Sequence, residues 1–249
     1  MFRIRLQAPG GEEAELSTNI QGGKYTLELE QTRILVYLGE PLPYAVAQEI
    51  YLDMIPAEGS YINAGIWTIR LEPVVTVTGQ YYLYLPAGSG IGESTGFYRA
   101  TPQVTLTIPS TAAKVITVGA YDQVYDTYAD FSGRGYADST RTIGVAAAGL
   151  TKPDLVAPGV NIQAPDVYGS FTPVTGTSFA TPIVSGAAAL LMEWGIVRGN
   201  DPFLYGEKIK AYLRKGARPL RGEREYPNDR VGYGRLCVAD SLPQTGTSE

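Results

Sequence analysis

The chain has 249 residues, 44% of them hydrophobic and 18% charged, which is enough apolar material for one large domain or two modest ones and excludes a disordered polypeptide. A net charge of −5 and a pI near 5.0, with no long block of either sign, exclude nucleic acid and an anionic membrane as the main partner. The single cysteine, Cys237, rules out an internal disulfide framework and a thiolate-rich metal site, and it is expected to be buried.

The N-terminus, MFRIRLQAPGGEEAE, lacks the apolar core of a secretory signal, and no run of about twenty apolar residues marks a membrane span. From Phe2 to about Tyr98 the apolar residues alternate: Phe2, Ile4 and Leu6, then Tyr25, Leu27 and Leu29, then Ile34, Val36 and Leu38, then Trp67, Ile69 and Leu71. Turn-rich stretches, APGGEEAE, QGGK, GEPLP and PAEGSYINAG, separate these runs. Residues 1–100 are therefore expected to form an antiparallel β-sandwich, jelly-roll-like and partial, without helices, whose chain begins in mid-strand. The Gly/Ser/Pro-rich stretch over 86–103 reads as a loop or domain boundary.

Residues 101–249 have an α/β texture. The short runs VITVGA (115–120) and IGVAAA (143–148) do not alternate, which suits strands covered on both faces of a parallel sheet. An Ala-rich apolar helix is expected from about Ser178 to Trp194, running through the middle of the core. A second, amphipathic and peripheral helix carries Leu204, Lys208 and Tyr212, with Ile209 and Leu213, at four-residue steps before a stop at Gly216.

The chemistry concentrates at GTSFATPIVSGAAALL (176–191). Gly176 allows close backbone approach, and Thr177 and Ser178 fall at a helix N-terminus, among unpaired N–H groups at the positive end of the dipole. Pro182 places the helix start close to Ser178. The same pattern also fits an ordinary N-capped core helix. Weaker candidates are Asp122, Asp126 and Asp130, spaced by four as if for a cation but better read as a solvated loop. Tyr81, Tyr82 and Tyr84 suggest a sugar platform but equally a strand edge. RKGARPLRGEREY mixes signs and reads as surface.

Taken in order, IPSTAAKVITVGAYD, ADFSGRGY, TKPDLVAPGVNI and the GTS turn resemble the C-terminal half of a subtilisin-like serine protease, and YPNDRVGYGRLCVADSL resembles the segment that follows its last large helix. The sandwich ahead of VITVGA, with GIWTIRL, YYLYLP and KIKAYLRKGARPL, narrows the resemblance to the Csp-type proteases of clostridial spore germination. It implies a subtilisin-like α/β domain over 101–249, represented by its C-terminal part, after the inserted sandwich over 1–100. It also implies a serine endopeptidase with Ser178 as nucleophile, the Ser178 N–H as an oxyanion donor, and Gly176 and Thr177 shaping the turn. No metal or cofactor is implied. In that family the triad aspartate and histidine and the oxyanion asparagine lie upstream of the sandwich, and this chain has no histidine. It is therefore expected to be inactive alone, to expose an unpaired sheet edge and an apolar face, and to have as partners a missing N-terminal half and a peptide or protein substrate. Ile183, where many subtilisins have histidine, bears on packing. Sedolisins, which use glutamate as base, share the turn, but KPDLVAPG is subtilisin-like. The alternative is a non-catalytic pseudoprotease or binding module. The implied setting is bacterial and spore-associated, with neither nucleic acid nor membrane as partner.

Overall fold

The alternating segments of the N-terminal part form strands β1 (Phe2–Gln7), β2 (Glu13–Leu16), β3 (Lys24–Leu29), β4 (Thr32–Leu38), β5 (Ile50–Pro56) and β6 (Thr68–Pro73). They make two antiparallel three-stranded sheets, ordered β2-β1-β6 and β3-β4-β5. The register pairs Ile4 with both Leu16 and Leu71, and Ile34 with both Leu27 and Met54, so alternate side chains share a face. Leu6, Leu16, Leu29, Ile34 and Val36 are buried, and both sheets contribute to one apolar cluster that also takes in Ile4, Tyr25, Leu52, Trp67 and Ile69. The opposite face of the first sheet is an ionic lattice, with Arg3 and Arg5 each 3.4–3.7 Å from Glu15 and Glu72, and Arg70 at 3.7 Å from Glu13. Asn63 ties the loop after β5 to the β3–β4 turn. Its Oδ1 accepts from the Gln31 N–H (2.9 Å) and the Thr32 hydroxyl (2.8 Å), and its Nδ2 donates to Glu30 (2.8 Å).

This computed structural model describes residues 2–18, 23–40, 48–59, 61–75, 79, 81–86, 92, 94–135 and 151–243. The chain divides into two units, the first reaching Thr95 and the second starting at Gly96. The IGVAAA run lies outside the described residues. Tyr81, Tyr82 and Tyr84 are not in a strand; Tyr81 sets its ring edge-on to Phe2 at 6.0 Å, and Tyr82 and Tyr84 stack at 6.3 Å.

The second unit contains β7 (Val118–Asp122), β8 (Thr127–Tyr128), β9 (Leu155–Pro158), β10 (Ile162–Pro165), β11 (Phe171–Val174), α1 (Thr177–Met192), α2 (Gly206–Lys215) and α3 (Val238–Ser241). β7 pairs with β9 in parallel and with β8 antiparallel, so the described sheet is mixed where a parallel one was expected. The reason is local: the Asp122 carboxylate accepts from the Val124 N–H at 2.8 Å and Asp126 takes a positive φ of 57°, which turns the chain straight back as a hairpin. Both faces of β7 and β9 are covered, as the lack of alternation in VITVGA predicts for β7. Ala120, Leu155 and Ala157 pack with α1 and α2, while Tyr121 and Val156 pack with Tyr128, Leu220 and Val231.

α1 buries the stripe Ala180, Val184, Ala187 and Leu191, at helical steps of four, three and four. Its opposite side, including Ser185, Gly186, Ala189, Leu190 and Met192, is exposed, so among the described residues the helix is covered on one side and does not pass through the middle of a core. Pro182 lies a full turn inside, and its missing N–H leaves the Ser178 carbonyl without the usual helical donor. A π-helical turn, Glu193–Val197, extends the helix. The composite Thr177–Val197 has 21 residues and contains an 18-residue window of mean hydropathy 1.4, long and apolar enough by length and composition to cross a membrane, although Thr177, Ser178, Thr181, Pro182, Ser185 and Glu193 interrupt any continuous apolar run. Here its buried stripe packs on the sheet. α2 follows the expected register, with Ile209 and Leu213 buried and Gly216 at its end, where any Cβ would overlap the backbone of Ser241. Cys237 is half-buried just before α3, not interior.

Candidate active site

β9 ends at Pro158, and Gly159 bridges the sheet to the serine turn. Its N–H donates to the Tyr121 carbonyl (3.0 Å) and its carbonyl accepts from the Gly176 N–H (2.8 Å). A Cβ at Gly159 would lie 2.6 Å from the Ala120 Cβ and 3.1 Å from the Gly176 oxygen, so only glycine admits this approach. Asn161, at φ 52°, turns the chain into β10, and its N–H donates to the Thr175 hydroxyl at 3.0 Å. The β10–β11 hairpin then returns the chain to Thr175 and Gly176.

Gly176 takes φ 153° and ψ 158°, a region that side chains rarely enter, and its carbonyl accepts from the N–H groups of Phe179 (3.1 Å) and Ala180 (3.4 Å). Ser178 is exposed in the first turn of α1, Thr177 and Gly176 are half-buried, and no side chain caps this end of the helix. The first-turn N–H groups of Thr177 and Ser178 have no intrahelical acceptor, and the helix dipole places partial positive charge on them. An oxygen that becomes anionic above Ser178 would meet these donors. Thr181 donates to the Thr177 carbonyl (3.0 Å), and Ile183 packs on the apolar cluster, in keeping with a packing role.

The residues the sequence singled out as Gly176, Thr177 and Ser178 are thus contiguous on one turn. Among the described residues no side chain hydrogen-bonds to the Ser178 Oγ, and the chain has no histidine to do so. Asp122, Asp126 and Asp130 are not gathered around one point. Asp122 caps its own turn, Asp126 pairs with Arg235 at 2.7 Å, and Asp130 faces solvent. Among the described residues no three His, Cys, Asp or Glu side chains are grouped to hold a metal.

Sequence reasoning missed a buried charge cluster at the start of β9. Asp154, with no solvent exposure, accepts from the Thr117 N–H (2.6 Å), Lys152 (2.9 Å) and Arg214 (2.8 Å from Nε), and Lys210 lies 3.3 Å away. Lys152 and Lys210 also donate to the Val115 carbonyl, at 2.7 and 2.9 Å. Burial pushes the Lys152 ammonium down to about 8, against the opposing pull of Asp154. The available signal was an aspartate set between proline and an apolar run in KPDLVAP.

A parallel β-strand pair, the glycine bridge and a serine opening an Ala-rich helix define a subtilisin-type α/β unit, and the chain belongs to the subtilase family, peptidase S8, whose pattern matches residues 90–234. The structure is similar to that of the CspB protease of Clostridium perfringens, with a TM-score of 0.78 and 34% identity over 96% of this chain and 48% of that one. Serine protease AprX of Bacillus subtilis is 33% identical over 56% of this chain and 32% of its own length. Subtilisin BL of Lederbergia lenta is 34% identical over 47% of this chain and 35% of its own. The chain thus spans about a third of these curated relatives.

Proposed function

We propose that this chain is the part of a subtilisin-type serine endopeptidase that supplies the nucleophile. Ser178 Oγ gives its proton to the base and attacks the peptide carbonyl, its own N–H and that of the Thr177 turn hold the oxyanion, the C–N bond breaks as that proton passes to the departing amine, and water then hydrolyses the acyl-enzyme ester and frees Ser178. The observation that carries this reading is the exposed Ser178 in the uncapped first turn of α1, set against the sheet by Gly159 and Gly176. The histidine base, its aspartate and the side-chain oxyanion donor come from a further polypeptide segment that docks on this unit. Residues 1–100 serve as a jelly-roll-like insertion and 101–249 as the C-terminal part of the catalytic domain. The resemblance of the sequence to the Csp-type proteases points to spore germination as the setting.

A serine without a base loses on the order of a millionfold in turnover. The test is therefore a fluorophosphonate probe on the chain alone and on the chain mixed with the segment of CspB that this chain does not match. Alone, Ser178 is expected to label negligibly; in the mixture it labels and peptide hydrolysis appears, and Ser178→Ala abolishes both. Rapid labelling of the chain alone refutes the division of the triad. A stable complex without labelling instead supports the second reading, a non-catalytic scaffold.

A further inference from the structure

The stretch after α3 carries a motif that nothing described above uses. Residues 242–246 read Leu-Pro-Gln-Thr-Gly, the Leu-Pro-X-Thr-Gly pattern that cysteine transpeptidases of the sortase class cut between threonine and glycine. The chain has three Leu-Pro pairs, at 42–43, 85–86 and 242–243, and only the last is followed by X-Thr-Gly. The fixed residue types have chemical reasons. Proline locks its own φ and pushes the residue before it into an extended conformation, which presents the leucine as an apolar anchor. Glycine, without a Cβ, makes the least hindered amine to leave and be replaced.

The first two residues of the motif have that shape in the structure. Leu242 follows α3 at φ −72° and ψ 126°, extended ahead of Pro243, and both are half-buried. The Leu242 side chain packs on the apolar cluster of the second unit, as does Val238 of α3. α3 is a single turn of four residues. The Ser241 N–H (3.1 Å) and hydroxyl (2.7 Å) both donate to the Cys237 carbonyl, and Arg218 Nη2 donates to Asp240 (3.0 Å). So short a helix opens locally at low cost. Gln244, Thr245 and Gly246 lie outside the described residues. Every strand and helix named above precedes Leu242, so a cut between Thr245 and Gly246 leaves all of them in the product.

We propose that Thr245–Gly246 is a transpeptidation site, through which a sortase-class cysteine enzyme joins this chain to an unhindered primary amine such as an N-terminal glycine, and that α3 gates it. The enzyme's thiolate adds to the Thr245 carbonyl carbon, the C–N bond to Gly246 breaks, and the Gly246 amine leaves with a proton from the enzyme's general acid. The acceptor amine then attacks the thioester, gives up a proton and forms the new amide as the thiolate departs, so the exchange needs no oxidant or reductant. An enzyme pocket that takes the leucine competes with the apolar cluster on which Leu242 already packs, so Leu242 is released only as α3 detaches. Re-exposing half of a leucine should slow the folded chain roughly four- to tenfold relative to a free peptide of the same sequence. The site stands independently of the catalytic reading of Ser178.

The experiment incubates the full chain, and separately the free peptide Leu-Pro-Gln-Thr-Gly-Thr-Ser-Glu, with a purified sortase of Leu-Pro-X-Thr-Gly specificity and triglycine-fluorescein. Gel fluorescence gives the rate and mass spectrometry the junction. The chain is expected to lose residues 246–249 and to gain one fluorophore on Thr245, at a rate roughly four- to tenfold below that of the peptide. Pro243→Ala is expected to reduce labelling roughly tenfold or more through loss of the pre-set bend, while Trp194 fluorescence stays native. Val238→Ser, which removes an apolar contact of α3, is expected to bring the chain's rate toward the peptide's. If the peptide reacts but neither the parent chain nor Val238→Ser does, the site is overturned. A junction at any other residue, or labelling that survives Pro243→Ala, overturns it as well. Equal rates for the parent chain and the peptide overturn the gating by α3.

Discussion

Asp154→Ala tests how the second unit is held together. The carboxylate is fully buried and answers three cations and one backbone N–H. Removing one partner of a buried ion pair costs about 3–5 kcal/mol, and the Thr117 N–H left without an acceptor adds about 1–3 kcal/mol. Lys152 can shed part of this by losing its proton, since burial already pushes it down to about 8. Arg214 cannot, because a guanidinium keeps its charge. A loss of about 5 kcal/mol is therefore expected, a large share of the roughly 5–15 kcal/mol that stabilises a domain. The two tryptophans give the assay, because Trp67 belongs to the first unit's cluster and Trp194 stacks edge-on against Tyr212 in the second. In a Trp67→Phe background, urea unfolding followed by Trp194 should move to a midpoint lower by roughly 2–5 M, using an m-value of about 1–3 kcal/mol/M. In a Trp194→Phe background the first unit, followed by Trp67, should not move. Asp154→Asn, which retains an oxygen for Thr117, should lose less. A loss below about 1 kcal/mol for Asp154→Ala would refute the claim that this carboxylate neutralises the cluster.

Lys152 gives the cluster a pH signature. The unfolded chain keeps this proton up to about 10.5 while the folded chain releases it near 8, so between those values the unfolded state binds more protons and folding stability rises with pH. Relative to Lys152→Met, the parent should gain up to about 3 kcal/mol from pH 8 to 10.5, a comparison that cancels the opposing effect of Tyr25 and Tyr121, whose phenols burial raises; a flat difference by urea titration counts against it. Gly159→Ala should cost about 1–3 kcal/mol through overlap with Ala120 and displace the Gly176 carbonyl, read as lost thermal stability together with slower fluorophosphonate labelling of Ser178 in the mixed complex. Asn63→Ala should destabilise the first unit by about 2–3 kcal/mol, because the Gln31 N–H and the Thr32 hydroxyl lose their shared acceptor, and Trp67 fluorescence should report it while Trp194 does not.

The strands with one apolar face, β1, β3, β4 and β6, were legible because period two is visible wherever the outer face is polar. β2 was not, because Glu13 and Glu15 flank a single alanine within a stretch rich in glycine and glutamate. Only the arginines of β1 and β6 across the ladder explain those charges. β5 was hidden for the opposite reason: Tyr51 and Ile55 make its outer side as apolar as Ile50, Leu52 and Met54 on the inner. The serine turn was readable from adjacent residues, since glycine, serine and helix start follow one another in the chain. The Asp154 cluster was not, because its partners come from residues 37 and 60 positions away and no local pattern announces them. The mixed character of the sheet escaped for a related reason, as two residues of β8 are too few to carry a period.

Those separations also set an order of events during synthesis. The contacts that satisfy Asp154 and its lysines close loops of 37, 60 and 97 residues, whereas β3 and β4 meet across a turn of two. Loops of that length close at an entropic cost that local hairpins do not bear, so chains rich in them fold late. At a translation rate of about 5–20 residues per second, Asp154 waits roughly 3–12 seconds for Arg214 to be made. Throughout that interval the neighbouring Leu155 and Ala157 have no α2 to cover them, and Val156 has neither Leu220 nor Val231, while strands β1 to β6 have already been made. The nascent second unit is thus an apolar strand in need of shelter, and its yield in cells should depend on chaperone supply and elongation rate far more than the yield of the first unit does.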